Sequence, residues 1–175
     1  DLLTELQSSF GYDGVTACTV TVSIDAVMGA TSTSGAGFNT QGMPAGSSLT
    51  LQLGSSAYIA GKGGRGGPGT SYPSSTNTVG LPGGIGLRLT IATVITGGGT
   101  IQGGGGGGGG GYWNSGTVPG GGGGGGAGWE ASLGGAGGVN SLGTTPITAA
   151  PGTGGGLLSG GSGGGSLFVE AQGGA

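Results

Sequence analysis

Nine consecutive glycines occupy positions 103–111, and seven more follow at 120–126. Ordering such a run costs more backbone entropy than ordering any other sequence, and no side chain is present to offset it. Three readings are open. Flexible linkers usually mix glycine with serine, which these runs do not. Collagen needs strict Gly-X-Y spacing with abundant proline, and 7 prolines in 175 residues are too few. The third reading is a bundle of extended helices with about three residues per turn, the polyproline-II conformation built from glycine. Such a helix makes no internal hydrogen bonds, so its N–H and C=O groups must pair laterally with neighbouring helices. Cα–H···O contacts, which glycine supplies in duplicate, assist.

The bundle makes a demand that a linker does not. Departures from glycine should recur every third residue, on an edge that faces outward. "GKGGRGGPG" (61–69) places Lys62, Arg65 and Pro68 at that period, with glycine in both other columns. "LGGAGGVNSL" (133–142) repeats it with Leu133, Ala136, Val139 and Leu142, and "SGGSGGGS" (159–166) with Ser159, Ser162 and Gly165. The run 103–111 carries no side chain on any edge, so it is expected at the centre of the bundle and among the most buried parts of the chain. At about 3.1 Å per residue it spans about 28 Å. Both runs should be ordered, extended and neither α-helix nor β-strand.

The rest of the chain is mostly β and irregular, with almost no α-helix expected. "VTACTVTVSID" (15–25) alternates, with Cys18, Val20, Val22 and Ile24 on one face and Thr19, Thr21 and Ser23 on the other. "SLTLQLGSSAYIA" (48–60) does the same with Leu49, Leu51 and Leu53. "LRLTIATVIT" (87–96) reads as one strand and "SLFVEA" (166–171) as a closing one. "DLLTELQSSF" (1–10) is a short helix candidate or a linker remnant. The division expected is a β-rich attachment region over 1–60 and a glycine bundle with loops over 61–175. Taking successive tracts as antiparallel puts the three longest insertions, 70–79, 112–119 and 140–151, at one end. A rigid scaffold with irregular loops at one pole is a binding architecture. Exposed aromatic rings there would act as anchors, the alternative being that they fold back over the bundle's bare ends.

Chemistry is narrowly bounded. The net charge is −3, with three Lys or Arg in all, so there is no basic footprint for nucleic acid. No His and one Cys, Cys18, leave no transition-metal set and no nucleophile–His pair. Cys18 itself reads as a small hydrophobe on a strand. The match of 61–66 to G-x-G-x-x-G has no βαβ context and is expected by chance in so glycine-rich a chain. No run of apolar residues is long enough for a membrane helix. The expectation is a binding protein that is not an enzyme, with no cofactor and no metal. Because the chain opens without Met or a signal peptide, it reads as a fragment or a processed piece.

The succession "YIAGKGGRGGPG", "GGIGLRLTIATVITGGGTIQGGGGGGGGG" and "GGGGGGAGW" resembles the glycine-rich C-terminal tip domains of bacteriophage central tail fibres and host-specificity proteins. It is similar in layout to the tail-fibre tip adhesins of T-even-type phages, which carry hypervariable loops on a polyglycine-II sandwich. The resemblance covers roughly 55–170. A counterpart of the T-even adhesin's N-terminal attachment region is not recognisable, which favours the tip of a longer fibre over a separate subunit. The resemblance implies a virion protein at the distal tip of a tail fibre, compatible with a homotrimeric fibre. Its partners would be the remainder of the fibre and a bacterial surface receptor, a porin-type outer-membrane protein or lipopolysaccharide. The receptor-binding residues expected in the loops are Tyr72, Pro73, Asn77, Tyr112, Trp113, Asn114, Thr144, Thr145 and Ile147. The competing functions are ice binding on a polyglycine-II scaffold, which would need regular Gly-x-x and short turns, and a structural coat or wall protein, which would lack the β-rich start.

Overall fold

The computed structural model describes residues 1–69, 79–110, 122–129, 150–159 and 161–164, and the backbone of 139–140 and 147–148. It divides into two compact units, Asp1–Lys62 with Gly84–Gly104, and Gly63–Gly83 with Gly105–Ala175. The described chain is mostly β, with one short helix.

The first unit opens with that helix, α1 (Leu2–Phe10). The Asp1 carboxylate caps it by accepting from the Leu3 amide at 2.9 Å, and Gly11 ends it at φ 65°, a left-handed turn that glycine adopts without strain. Eight strands follow: β1 (Thr19–Ile24), β2 (Val27–Gly29), β3 (Ala36–Asn39), β4 (Ser48–Leu53), β5 (Tyr58–Ala60), β6 (Ile85–Arg88), β7 (Ala92–Gly97) and β8 (Thr100–Gln102). They form three sheets, β1-β4-β7, β2-β5-β8 and β3-β6, and every pairing is parallel. Each turn of chain thus adds one strand to each sheet in succession, as in a β-solenoid.

The alternation in the sequence marks the inner side of this coil. Leu49 and Leu51 of β4 and Ile59 of β5 are fully buried, with Leu53, Ala57, Phe38 and Leu2 in the same cluster. Val20, Val22 and Ile24 pack half-buried against them, while Thr19, Thr21 and Ser23 face out.

Residues 87–96 are not one strand. They end β6, turn at 89–91 and begin β7. The turn is fixed by a stack of threonines: Thr90 N donates to Thr40 Oγ1 at 2.8 Å, and Thr90 Oγ1 to Thr40 O at 2.7 Å. Thr40 is fully buried, and these bonds satisfy it. Thr and Ile favour strands, so nothing local announces a corner there. Residues 48–60 divide in the same way into β4 and β5. The stretch 84–104 therefore belongs with the β unit, although composition alone groups it with the glycine tracts. Partner positions lie 29 apart between β1 and β4 but 49 apart between β3 and β6, a difference that matches the excursion 63–83.

The second unit is held by backbone alone over most of its described length. Gly64 and Gly67 donate to the carbonyls of Gly105 and Gly108, each at 2.8 Å, so these two tracts run parallel. Gly105 and Gly108 donate to Ala127 and Gly124, and Gly126 and Gly123 to Gly64 and Gly67, so 122–128 runs antiparallel to both. Gly122, Gly125 and Gly128 donate to Ala150, Thr153 and Gly156. The turn back is made by Gly161 and Gly164, which donate to Gly125 and Gly122. Every one of these bonds recurs at the third residue, where a β-ladder would recur at the second. None of the glycines in 63–69, 105–110 or 122–126 has a positive φ.

The most buried run is 122–126, not the nine-glycine run, whose described residues 103–110 are half-buried or exposed. Absence of side chains was the wrong guide to the centre. Among the described residues the tract 122–128 bonds to four others, through 63–67, 105–108, 150–156 and 161–164, whereas 105–108 bonds to three.

Candidate functional site

Glycine spacing in the second unit decides which columns can carry side chains. A Cβ at Gly107 or Gly110 would stand 2.0 Å from the carbonyl oxygen of Arg65 or Pro68, while one at Gly106 would meet nothing nearer than 3.9 Å. Along 61–69 the glycines at 63, 64, 66, 67 and 69 are buried, and Arg65 and Pro68 are exposed. The period-three column read from the sequence is thus outward at Arg65 and Pro68, with Lys62 half-buried.

Four of the lateral bonds define one end of this unit. Gly67, Gly108 and Gly124 are linked there, Gly122 reaches both Ala150 and Gly164, and the Cβ position of Gly110 abuts Pro68. Gly69 and Val79 flank segment 70–78, Gly110 and Gly122 flank 111–121, and Ala150 follows 141–149. The described flanks of all three segments therefore gather at one end. Gly164 lies at that end too.

Of the expected receptor-binding residues, Tyr72, Pro73, Asn77, Tyr112, Trp113, Asn114, Thr144 and Thr145 lie outside the described residues. Ile147 starts β10 (Ile147–Thr148), which pairs antiparallel with β9 (Val139–Asn140), Ile147 opposite Asn140. The third insertion is therefore a hairpin with 141–146 between its strands. None of 70–78, 111–121 and 139–149 contains an acidic or basic residue.

A second feature was not foreseen. The first coil of the β unit is open on the side of α1, leaving a groove of about 860 Å³. Leu6, Phe10, Val20, Val22, Met28 and Phe38 are among its lining residues, with Asp1 and Glu5 beside them. β1 is an edge strand of its sheet, so one row of its backbone groups is unpaired with any neighbouring strand. The signal available was the half-buried face of Val20 and Val22, which had no named partner element.

The same edge holds the unit's perturbed acids. Burial pushes the Tyr12 phenol up to about 12, helped by the neighbouring Cys18, and its hydroxyl donates to the Thr16 carbonyl. Asp13 is held below the usual carboxylate range by the Thr16 hydroxyl and by the amides of Thr16 and Val15, each amide at 3.0 Å. Both groups hold the 12–16 turn. Among the described residues no three His, Cys, Asp or Glu side chains gather as a metal set.

One protein family matches the chain, described as phage tail fibre adhesin Gp38, over residues 2–175. The match includes 2–60, where no counterpart of an adhesin's attachment region was recognisable in the sequence. No curated protein and no solved structure matches.

Proposed function

The chain belongs to the phage tail fibre adhesin Gp38 family, and from that premise we propose that it grips its host receptor through the segments 70–78, 111–121 and 139–149, carried on a polyglycine-II bundle. Family membership makes it a component of the virion tail that recognises the host and associates with the rest of the tail fibre. The finer reading places it at the distal tip and makes it a binding protein that turns nothing over.

The observation that carries the reading is the every-third hydrogen bonding of the second unit. A helix of about three residues per turn presents successive N–H groups on three sides, so it can bond laterally to several neighbours at once. A backbone so fixed leaves little to order when its loops bind. The gathering of segment flanks at one end supports a single binding surface there. Tyr72, Tyr112 and Trp113 would supply large contact area at low entropy cost, having only two side-chain torsions each.

An uncharged surface favours the exposed loops of an outer-membrane protein over the phosphorylated core of lipopolysaccharide, which would call for clustered cations. The groove between α1, β1 and β3 is read as the place where the remainder of the fibre docks, apolar against apolar, a homotrimeric fibre end being the expected occupant.

The test is adsorption to host cells by the Tyr112→Ala, Trp113→Ala double variant. Loss of adsorption with unchanged melting is expected, and adsorption should fall little between low and physiological salt. Normal adsorption by the double variant sinks the site. Dependence on intact lipopolysaccharide, with no effect from removing outer-membrane proteins, sinks the receptor class.

A further inference from the structure

The whole chain holds three residues after which a trypsin-class protease cuts: Lys62, Arg65 and Arg88. Two of them stand in "GKGGRGGPG", and a loose stretch of that composition would be an open substrate. Such an enzyme makes three demands on the bond it hydrolyses. The cationic side chain must enter a pocket, the serine oxygen must reach the carbonyl carbon, and enzyme donors must take the carbonyl oxygen.

The last demand fails at all three places for one reason. Each of these carbonyl oxygens already accepts a backbone hydrogen bond from another segment, Lys62 from Gly84 at 2.7 Å, Arg65 from Leu81 at 2.8 Å and Arg88 from Thr40 at 3.0 Å. In the glycine tract the carbonyl carbons are covered as well. A Cβ on Gly104 would stand 2.6 Å from the Lys62 carbonyl carbon, and one on Gly107 2.4 Å from that of Arg65. Neighbouring backbone therefore fills the space an attacking oxygen needs. At Arg88 the side chain is held too, its guanidinium donating to Gln41 Oε1 and to the Ser34 carbonyl, each at 3.2 Å.

Arg65 separates access to the side chain from access to the bond. Its side chain is exposed, while Gly64, Gly66 and Gly67 around it are buried. Freeing 64–67 breaks the lateral bonds made by the amides of Gly64 and Gly67 and by the carbonyls of Gly64, Arg65 and Gly67.

We propose that lateral backbone bonding shields every trypsin-class site of this chain, so that Arg65 is displayed outward without offering a cleavable bond. Cutting then requires local opening, and its rate follows the population of the open form. For a component of the virion tail this is a device for persistence outside the cell. It does not depend on where the receptor binds.

The test is digestion of the full chain by trypsin, with the products identified by mass. Free peptides of residues 58–69 and 84–94 supply the rates for the same three bonds without neighbours. Cutting of the folded chain should be slower than that of the peptides by about a hundredfold or more at every site. Gly107→Ala, which crowds the Arg65 carbonyl, should speed cutting after Arg65 by about tenfold and leave Arg88 unchanged. Gly106→Ala, which meets nothing nearer than 3.9 Å, should leave all three rates as they are. Cutting of the parent at the peptide rate overturns the proposal. Equal acceleration by the two alanines, or none by either, overturns it too. Should Gly107→Ala unfold the chain, all three sites open together, and the ratio of parent to peptide decides.

Discussion

In the first unit Leu49, Leu51 and Ile59 lie fully buried inside a coil of parallel strands, whereas the buried row of the second unit, 122–126, has no side chains at all. The first is stabilised by moving apolar side chains out of water, worth about 1.5–3 kcal/mol for each leucine-sized group. The second relies on lateral backbone bonds of about 0.5–1.5 kcal/mol each, and on close approach that a single methyl group would prevent. The difference is one of tolerance. A side-chain core fails when something is taken away, and a backbone core fails when something is added.

The sharpest break of that comparison starts from removal. Leu51→Ala empties a fully buried site in the central strand of its sheet, between β1 and β7. It should cost about 2–5 kcal/mol, read as the midpoint of urea unfolding. The addition experiment is Gly124→Ala, whose Cβ would stand 1.9 Å from the Gly161 carbonyl oxygen in the most heavily bonded tract. About 1–3 kcal/mol is expected, nearer the upper figure because backbone lies behind the clash. If Gly124→Ala is neutral while Leu51→Ala is not, the second unit is not packed backbone to backbone.

How much of this was legible follows the same division. Alternation found β1 and β4 with the correct inner face, because one side of each strand is wet and the other dry. It missed the corner at 89–91, where the determinant is Thr40, fifty positions from Thr90. Period three identified Arg65 and Pro68 as outward, because a side chain is a mark that glycine is not, while Lys62 of the same column is half-buried. The same logic misplaced the centre at 103–111. A bare tract is permitted at the centre and also at the surface, and only its neighbours decide. The groove beside α1 was invisible, since it arises where a coil ends. The residues proposed for receptor binding have no period at all, and only their place between glycine tracts singles them out.

A smaller effect separates the units by pH. Asp13 is held below its usual range in the folded chain, so it contributes stability that is present above about pH 4 and lost as pH falls through its folded value. Tyr12 works the other way: its contribution is complete below about pH 10 and lost as pH rises toward about 12. Asp13→Ala should flatten the acid limb of the melting profile of the first unit only. An acid limb of the first unit's melting profile that Asp13→Ala leaves unchanged would contradict the assignment.

The smallest expected effect tests whether three-residue periodicity, rather than glycine content, is what the second unit requires. Gly106 and Gly107 are adjacent, both glycine, both at negative φ and in the same tract. They differ in what stands beside them. A methyl group at 107 meets the Arg65 carbonyl at 2.0 Å, and one at 106 has only the Leu81 carbonyl oxygen at 3.9 Å. Gly107→Ala should therefore cost about 1–3 kcal/mol. For Gly106→Ala two terms remain. Burial gains almost nothing, because the site is exposed. Alanine, however, restricts the unfolded chain, which at a compatible backbone stabilises by about 0.4–1 kcal/mol. The outcome expected is a change between zero and a gain of about 0.5 kcal/mol, small but opposite in sign to that of its neighbour. Two-residue periodicity would instead make Gly105 and Gly107 behave alike, with Gly106 apart from both. In the three-residue network Gly107 pairs with Gly104 and Gly110, so an alanine scan of 104–108 read by thermal unfolding distinguishes the two directly.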